Sequence, residues 1–257
     1  MKRKIGLFVF ATVFLFSGWI VSAQEKVVIA AASDLKFALD SVISVYQKVE
    51  PTSTVQVIYG SSGKFFEQIQ HGAPFDIYFS ADKSYPQKLQ QDGFTASEVK
   101  IYGIGRIVIW SKKIDPNKDK MNSFLNPEIK KIAIANPEHA PYGARAKESM
   151  EFYTLYERVK SKFVFGENIA QTAQFVQLGA ADIGIVALSL ALSPTLKKSG
   201  GMYYLIPETS HLPLEQGYVI LKPGKDKPLA HHFYDFVASQ MAIAILTHFG
   251  FTQLGNE

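Results

Sequence analysis

From residue 26 onward, short apolar runs alternate with segments whose apolar residues recur at helical spacing. Lys26–Ala31 (KVVIAA) reads as a buried strand, and Asp34–Val49 repeats apolar residues at Leu35, Ala38, Leu39, Val42, Val45, Tyr46 and Val49, a helical period. The same reading predicts strands at Thr54–Tyr59, Asp76–Ser80, Arg106–Ser111, Lys131–Ala135, Ile183–Ala187, Met202–Ile206 and Tyr218–Lys222. It predicts helices at Lys64–Gln70, Ser84–Asp92, Ala144–Val159 and Asn168–Leu178, and one or two across Leu229–His248. Strand–helix alternation of this kind predicts an α/β fold with parallel-rich sheets flanked by helices. The pattern runs twice, over 26–93 and over about 131–187. Arg106–Ser111 and Tyr218–Lys222 fall outside both sets and are expected to carry the chain between two lobes. The expected division is a leader at 1–23, a first lobe of 24–105 with 217–257, and a second lobe of 106–216. Two lobes joined by two hinge crossings leave a cleft between them, a usual place for a ligand.

The first residues follow a different pattern. Met1-Lys2-Arg3-Lys4 precedes an uncharged run from Ile5 to Val21, and Val21-Ser22-Ala23 stands before Gln24. A basic start, an apolar stretch and a small-residue site read as a secretory signal peptide cut after Ala23. The chain of 257 residues carries 27 Lys+Arg against 23 Asp+Glu, and three of those cations belong to the leader. The mature charge is therefore close to zero and gathers on no face, which gives nucleic-acid binding little support. There is no cysteine. That excludes disulfides, thiolate metal sites, a cysteine nucleophile and a lipid-modified lipoprotein. The expected location is the periplasm.

Candidate chemistry lies at the helix starts. Ala31-Ala32-Ser33-Asp34, Gly60-Ser61-Ser62-Gly63, Pro141-Tyr142-Gly143-Ala144 and Gly166-Glu167-Asn168-Ile169 each open a helix after a strand or loop. A helix start offers backbone N–H groups without intrahelical partners and the positive end of the dipole. Serine hydroxyls and glycine-bared amides add donors at close range. Four such ends meeting in a cleft would bind a small anion without any full positive charge.

At these residues the chain resembles the periplasmic molybdate-binding proteins of ABC transporters. The resemblance rests on AAASDLKFAL at 30–39, GSSGKFFEQIQHGAPFDIYFSAD at 60–82, NPEHAPYGARAKESME at 136–151, GAADIGIV at 179–186 and IPETSHLPLEQGYVIL at 206–221, in the family's order. It implies the two-lobed type II periplasmic-binding-protein fold, a tetrahedral oxyanion ligand (molybdate or tungstate), a membrane permease as partner, a monomer and no cofactor. It places the donors at the Ser33 and Ser62 hydroxyls and amides and the Tyr142 and Ile169 amides. Ser61 and the Asp34 backbone are further candidates. No protein group is implied to ligate the metal atom directly. Some members carry a tyrosine at the position of Ala187, where this chain has no donor. The bond it makes is then expected from a group near Asp34, Tyr142 or the Ser61–Ser62 pair. A carboxylate beside a dianion is repulsive, so Asp34 is expected to turn its side chain away.

Other readings fit less well. Sulfate, thiosulfate or phosphate would suit the same donors. A periplasmic enzyme has weaker support: Gly60-Ser61-Ser62-Gly63 is one residue short of a nucleophile elbow. Gly63-Lys64 lacks the P-loop spacer and is followed by Phe65, where a Ser or Thr would bind magnesium. The six histidines show no H-E-x-x-H spacing.

Overall fold

The computed structural model describes residues 26–253, and the expected leader and cleavage site at Ala23 lie outside the described residues. The strands are β1 (Lys26–Ala32), β2 (Thr54–Gly60), β3 (Ile77–Ser80), β4 (Lys100–Gly105), β5 (Ile107–Ser111), β6 (Ile132–Ala135), β7 (Phe163–Gly166), β8 (Ile183–Ala187), β9 (Met202–Leu205) and β10 (Leu214–Ile220). They form two five-stranded sheets, in the orders β2-β1-β3-β10-β4 and β7-β6-β8-β5-β9. In each sheet three parallel strands are followed by two that pair antiparallel. The two lobes thus repeat one plan, and the fourth strand of each is the one that the sequence pattern left outside its two sets.

Helices are α1 (Lys36–Val49), α2 (Ser62–Gln70), α3 (Ser84–Gln91), α4 (Pro116–Asp119), α5 (Pro141–Phe152), α6 (Tyr156–Val159), α7 (Ile169–Gln177), α8 (Leu188–Ala191), α9 (Pro194–Lys198), α10 (Pro228–Val237) and α11 (Gln240–His248). The apolar stripes of α1, α10 and α11 close one face of the first sheet, where Leu39, Val42, Phe233 and Leu246 pack on Ile29, Ile77 and Tyr218. The other face of that sheet meets α2 and α3 through Phe65, Ile69 and Leu89. The core of the second sheet takes in Ala146 and Met150 of α5 and Ala173 and Val176 of α7.

Neither expected crossing strand crosses. β5 is paired on both sides within the second sheet, and β10 on both sides within the first. A strand whose hydrogen bonds are used on both edges belongs to one sheet. The chain passes between sheets at Arg106, and again across residues 206–213. β10 begins at Leu214, which pairs with Gly105, so three residues before the boundary expected at 217 already lie in the first sheet. The expected helix over Ala144–Val159 is broken. α5 ends at Phe152, and Thr154 adopts a φ of 55° before α6. Across Leu229–His248 there are two helices, the second capped by Ser239, whose side chain accepts from the Ala242 amide.

Candidate functional site

The parallel strands of both sheets deliver the site. β1 and β2 are neighbours in the first sheet, β6 and β7 in the second, and a helical segment starts just after each one. Helix starts at the carboxyl ends of parallel strands are where α/β sheets commonly hold ligands. Here two such starts from each lobe face one another. Between them lies a cavity of about 10 Å³ lined by Ser33, Asp34, Ser61, Ser62, Tyr142 and Ile169, together with Ala32, Gly60, Ala81, Ala140, Pro141 and Asn168. That space is on the scale of about one water, far below the roughly 300–1,000 Å³ of sites for larger organic ligands. It suits a compact ligand.

All six residues singled out from the sequence therefore meet in one place, and each is buried. Ser62 is the first residue of α2, Tyr142 the second of α5 and Ile169 the first of α7, positions whose amides have no partner within the helix. Ser33 opens a 3-10 turn, Ser33–Leu35, that leads into α1. Small residues make the close approach of backbone possible. At Gly143 a Cβ would stand 2.2 Å from the Ala135 carbonyl oxygen at the end of β6. Only glycine lets α5 seat its first turn there.

The Ser33 and Ser61 hydroxyls hold the two lobes against each other. Ser33 Oγ donates to Asn168 Oδ1 at 3.0 Å and accepts from the Ala170 amide at 3.2 Å. Asn168 also caps its own helix, accepting from the Gln171 amide. Ser61 Oγ donates to the His139 carbonyl at 2.6 Å, which also accepts from the Gly63 amide at 2.9 Å. Ser61 Oγ also lies 3.0 Å from His139 Nδ1. Ser62 Oγ accepts from the Ala81 amide at 3.0 Å, tying α2 to the end of β3.

No lysine or arginine lines the cavity. The cations near the helix starts are engaged elsewhere. Lys36 pairs with Asp40, Lys64 with Glu67, and Arg145 with Glu148 and with Asp82 of the first lobe. Ala187 ends β8 fully buried, paired with Ile107, and is not among the lining residues.

The Asp34 side chain is kept from solvent, for the residue is 1% exposed. Tyr142 Oη donates to Oδ2 at 2.9 Å, and Gln216 Nε2 donates to Tyr142 Oη at 2.9 Å. Tyr102 Oη in turn donates to Gln216 Oε1. Ser189 Oγ donates to the Asp34 carbonyl. Burial lifts the Asp34 carboxyl from 3.8 to about 6, against the opposing pull of the Tyr142 hydroxyl and of the nearby Gln216 side chain and Asp34 and Leu35 amides. Burial and the nearby Asp34 charge keep the Tyr142 hydroxyl well above its ordinary value, so it stays protonated and can donate. Sequence reasoning missed Asn168, His139, Gln216 and Tyr102. Asn168 carried a signal, since asparagine is a favoured N-cap. The others come from distant elements and carried none.

Comparison with known proteins identifies the family and the fold. Residues 27–252 match the family model described as bacterial extracellular solute-binding protein. The molybdate-binding protein ModA of Azotobacter vinelandii is 34% identical over 93% of this chain and 95% of its own length. ModA of Rhodobacter capsulatus is 35% identical over 77% of each chain. The solved structure of the Azotobacter vinelandii periplasmic molybdate-binding protein superposes with a TM-score of 0.80 at 27% identity, covering 88% of this chain and 99% of that one.

Proposed function

The chain belongs to the bacterial extracellular solute-binding proteins, and we propose that its solute is molybdate, with tungstate as the isostructural alternative. The protein captures the anion between its lobes in the periplasm and presents it, as a monomer, to the membrane permease of an ABC importer. One observation carries this reading: four element starts, two per lobe, close on a single small cavity that no cation lines. Binding then rests on neutral donors. These are the hydroxyls of Ser33 and Ser62, the amides of Ser33, Ser62, Tyr142 and Ile169, and in addition Ser61 and the Asp34 amide.

Such a site works by preorganisation. Amides fixed by strand–helix junctions point at the anion before it arrives, and the positive ends of the helix dipoles add to them. Because the first lobe supplies the serine donors and the Asp34 amide while the second supplies the Tyr142 and Ile169 amides, the full set exists only when the lobes are together. Loaded protein is thereby distinguished from empty protein by its shape. Size sets the preference among tetrahedral dianions. Sulfate has shorter bonds and would leave some donors out of reach, and each buried donor left unpaired costs about 1–3 kcal/mol.

Competition calorimetry with molybdate, tungstate, sulfate, thiosulfate and phosphate tests the proposal. Molybdate and tungstate should bind at least tenfold more tightly than the rest. A thermal-shift series should agree, since a ligand at a hundred times its dissociation constant stabilises the fold by about 2.7 kcal/mol. Displacement of molybdate by sulfate or phosphate at comparable concentrations would make the protein a general oxyanion binder and refute the assignment.

A further inference from the structure

The sequence pattern assigned no work to the Asp34 side chain, yet the fold builds a hydrogen-bond chain that ends on it. Tyr102 donates to Gln216, Gln216 to Tyr142, and Tyr142 to Asp34 Oδ2. Every step points toward the carboxyl, so Oδ2 is fixed as an acceptor. The second oxygen, Oδ1, is buried on a residue that lines the cavity, and although the Asp34 and Leu35 amides lie near the carboxyl, none makes a well-formed hydrogen bond to it. An ionised oxygen left so would be costly to keep from water and repulsive to a dianion. A protonated one would be a donor with nothing else to donate to.

Resting on the oxyanion reading above, we propose that Asp34 binds the anion through its side chain, entering the complex as the neutral acid and donating from Oδ1 to an anion oxygen. Each dianion is then taken up together with one proton from solvent. The proton comes to rest on Oδ1, while Tyr142 and Gln216 keep theirs. The carboxyl supplies the donor that the chain lacks at Ala187.

The surroundings support this. Asp34 is flanked by α1, α5, α7, α8 and β10, and none of them brings it a cation. Lys36 pairs with Asp40, Arg145 with Glu148 and Asp82, Lys147 with Glu151, and Glu215 with Lys83. Glu167, just before α7, lies 3.7 Å from His139, and α7 and α8 contain no charged residue. At the β4–β5 junction Arg106 pairs with Glu208. The Tyr142 and Tyr102 hydroxyls face the carboxyl side of the network and both stay neutral, held up by burial. Burial has already raised the free carboxyl to about 6, and a neighbouring dianion raises it further.

Calorimetry of molybdate binding in buffers of different ionisation enthalpy counts the protons. At pH 7.5 the wild type should take up close to one proton per anion, and its affinity should weaken about tenfold per pH unit between pH 7 and 8. Asp34→Asn keeps an acceptor for Tyr142 and offers an N–H to the anion. It should take up no proton, show pH-independent affinity and bind more tightly than wild type at pH 8. Absence of proton uptake in the wild type, with affinity flat from pH 6 to 8, would overturn the proposal. So would phosphate binding by the wild type that Asp34→Asn abolishes, because Asp34 would then be an acceptor for a protonated anion. If neither form binds molybdate or tungstate while sulfate binds, the solute assignment fails instead, and the proton count is read on sulfate.

Discussion

Replacing Ser33 by alanine separates what the hydroxyl does in the free protein from what it does for the ligand. In the structure Oγ donates to Asn168 Oδ1 and accepts from the Ala170 amide, so it joins the first lobe to the start of α7 in the second. On binding, the hydroxyl proton turns from a neutral amide oxygen to a charged oxyanion. A hydrogen bond to a charged group contributes about 1.5–3 kcal/mol and a neutral one about 1 kcal/mol. The variant forfeits the first in the complex and the second in the free closed form. The net loss is therefore about 0.5–2 kcal/mol, or roughly twofold to thirtyfold in affinity. Calorimetry with molybdate at constant pH measures it. Ser41→Ala serves as control, since Ser41 Oγ donates only within its own helix, to the Phe37 carbonyl. X-ray scattering of the unliganded proteins gives a second readout. Without the bond across the lobes, Ser33→Ala should populate open forms more and show a larger radius of gyration than the control. A Ser33→Ala protein that folds, keeps its scattering profile and binds molybdate as the control does would remove Ser33 from the site.

Three further outcomes follow from the same geometry. Gly143→Ala should lower the melting temperature by several degrees and weaken binding, because the new Cβ meets the Ala135 carbonyl at 2.2 Å and displaces the turn that carries Tyr142; a variant with wild-type melting would show that α5 can shift freely. Arg145→Ala should change molybdate affinity by only a few fold, since Arg145 pairs with Asp82 and Glu148 and does not line the cavity; a thousandfold loss would reveal a direct ion pair. Asp34 should also tune stability: with the folded carboxyl raised from 3.8 to about 6, the folded chain holds a proton that the unfolded chain has released between those values, so stability falls as pH rises through that window, by up to about 3 kcal/mol. Melting temperatures from pH 4 to 7 should therefore drop in the wild type relative to Asp34→Asn, and parallel curves would contradict the burial of this charge.

Most of the fold was legible because its elements carry strong local signals. The repeated strand–helix pattern and the serine- and glycine-marked helix starts follow from periodicity and capping, and all six candidate residues meet at one cavity. Two strands were missed for physical reasons. β4 reads Lys-Ile-Tyr-Gly-Ile-Gly, and its glycines dilute the strand signal. β7 is only four residues long, and its start follows a break at Thr154 that helical spacing ran straight through. For Asp34, Coulomb repulsion was weighed with the carboxylate ionised. The fold answers by burial, which favours the neutral form. That outcome depends on Tyr142 and Gln216, residues 108 and 182 positions further along the chain. No local pattern encodes such a meeting.

The repeated sheet plan bears on how the polypeptide reaches its final form. The second sheet is built from one continuous stretch, β5 to β9, whereas the first waits for β10. Until Leu214–Ile220 arrives, β3 presents an unpaired edge and β4 has no neighbour to join. More than a hundred intervening residues must therefore be made before the first lobe can close its ladder, and α10 and α11, which roof its core, come later still. Pairings this distant are slow to form. A growing chain thus keeps its amino-terminal half unfinished until synthesis is nearly over, the state in which a polypeptide bound for export can still be threaded across a membrane.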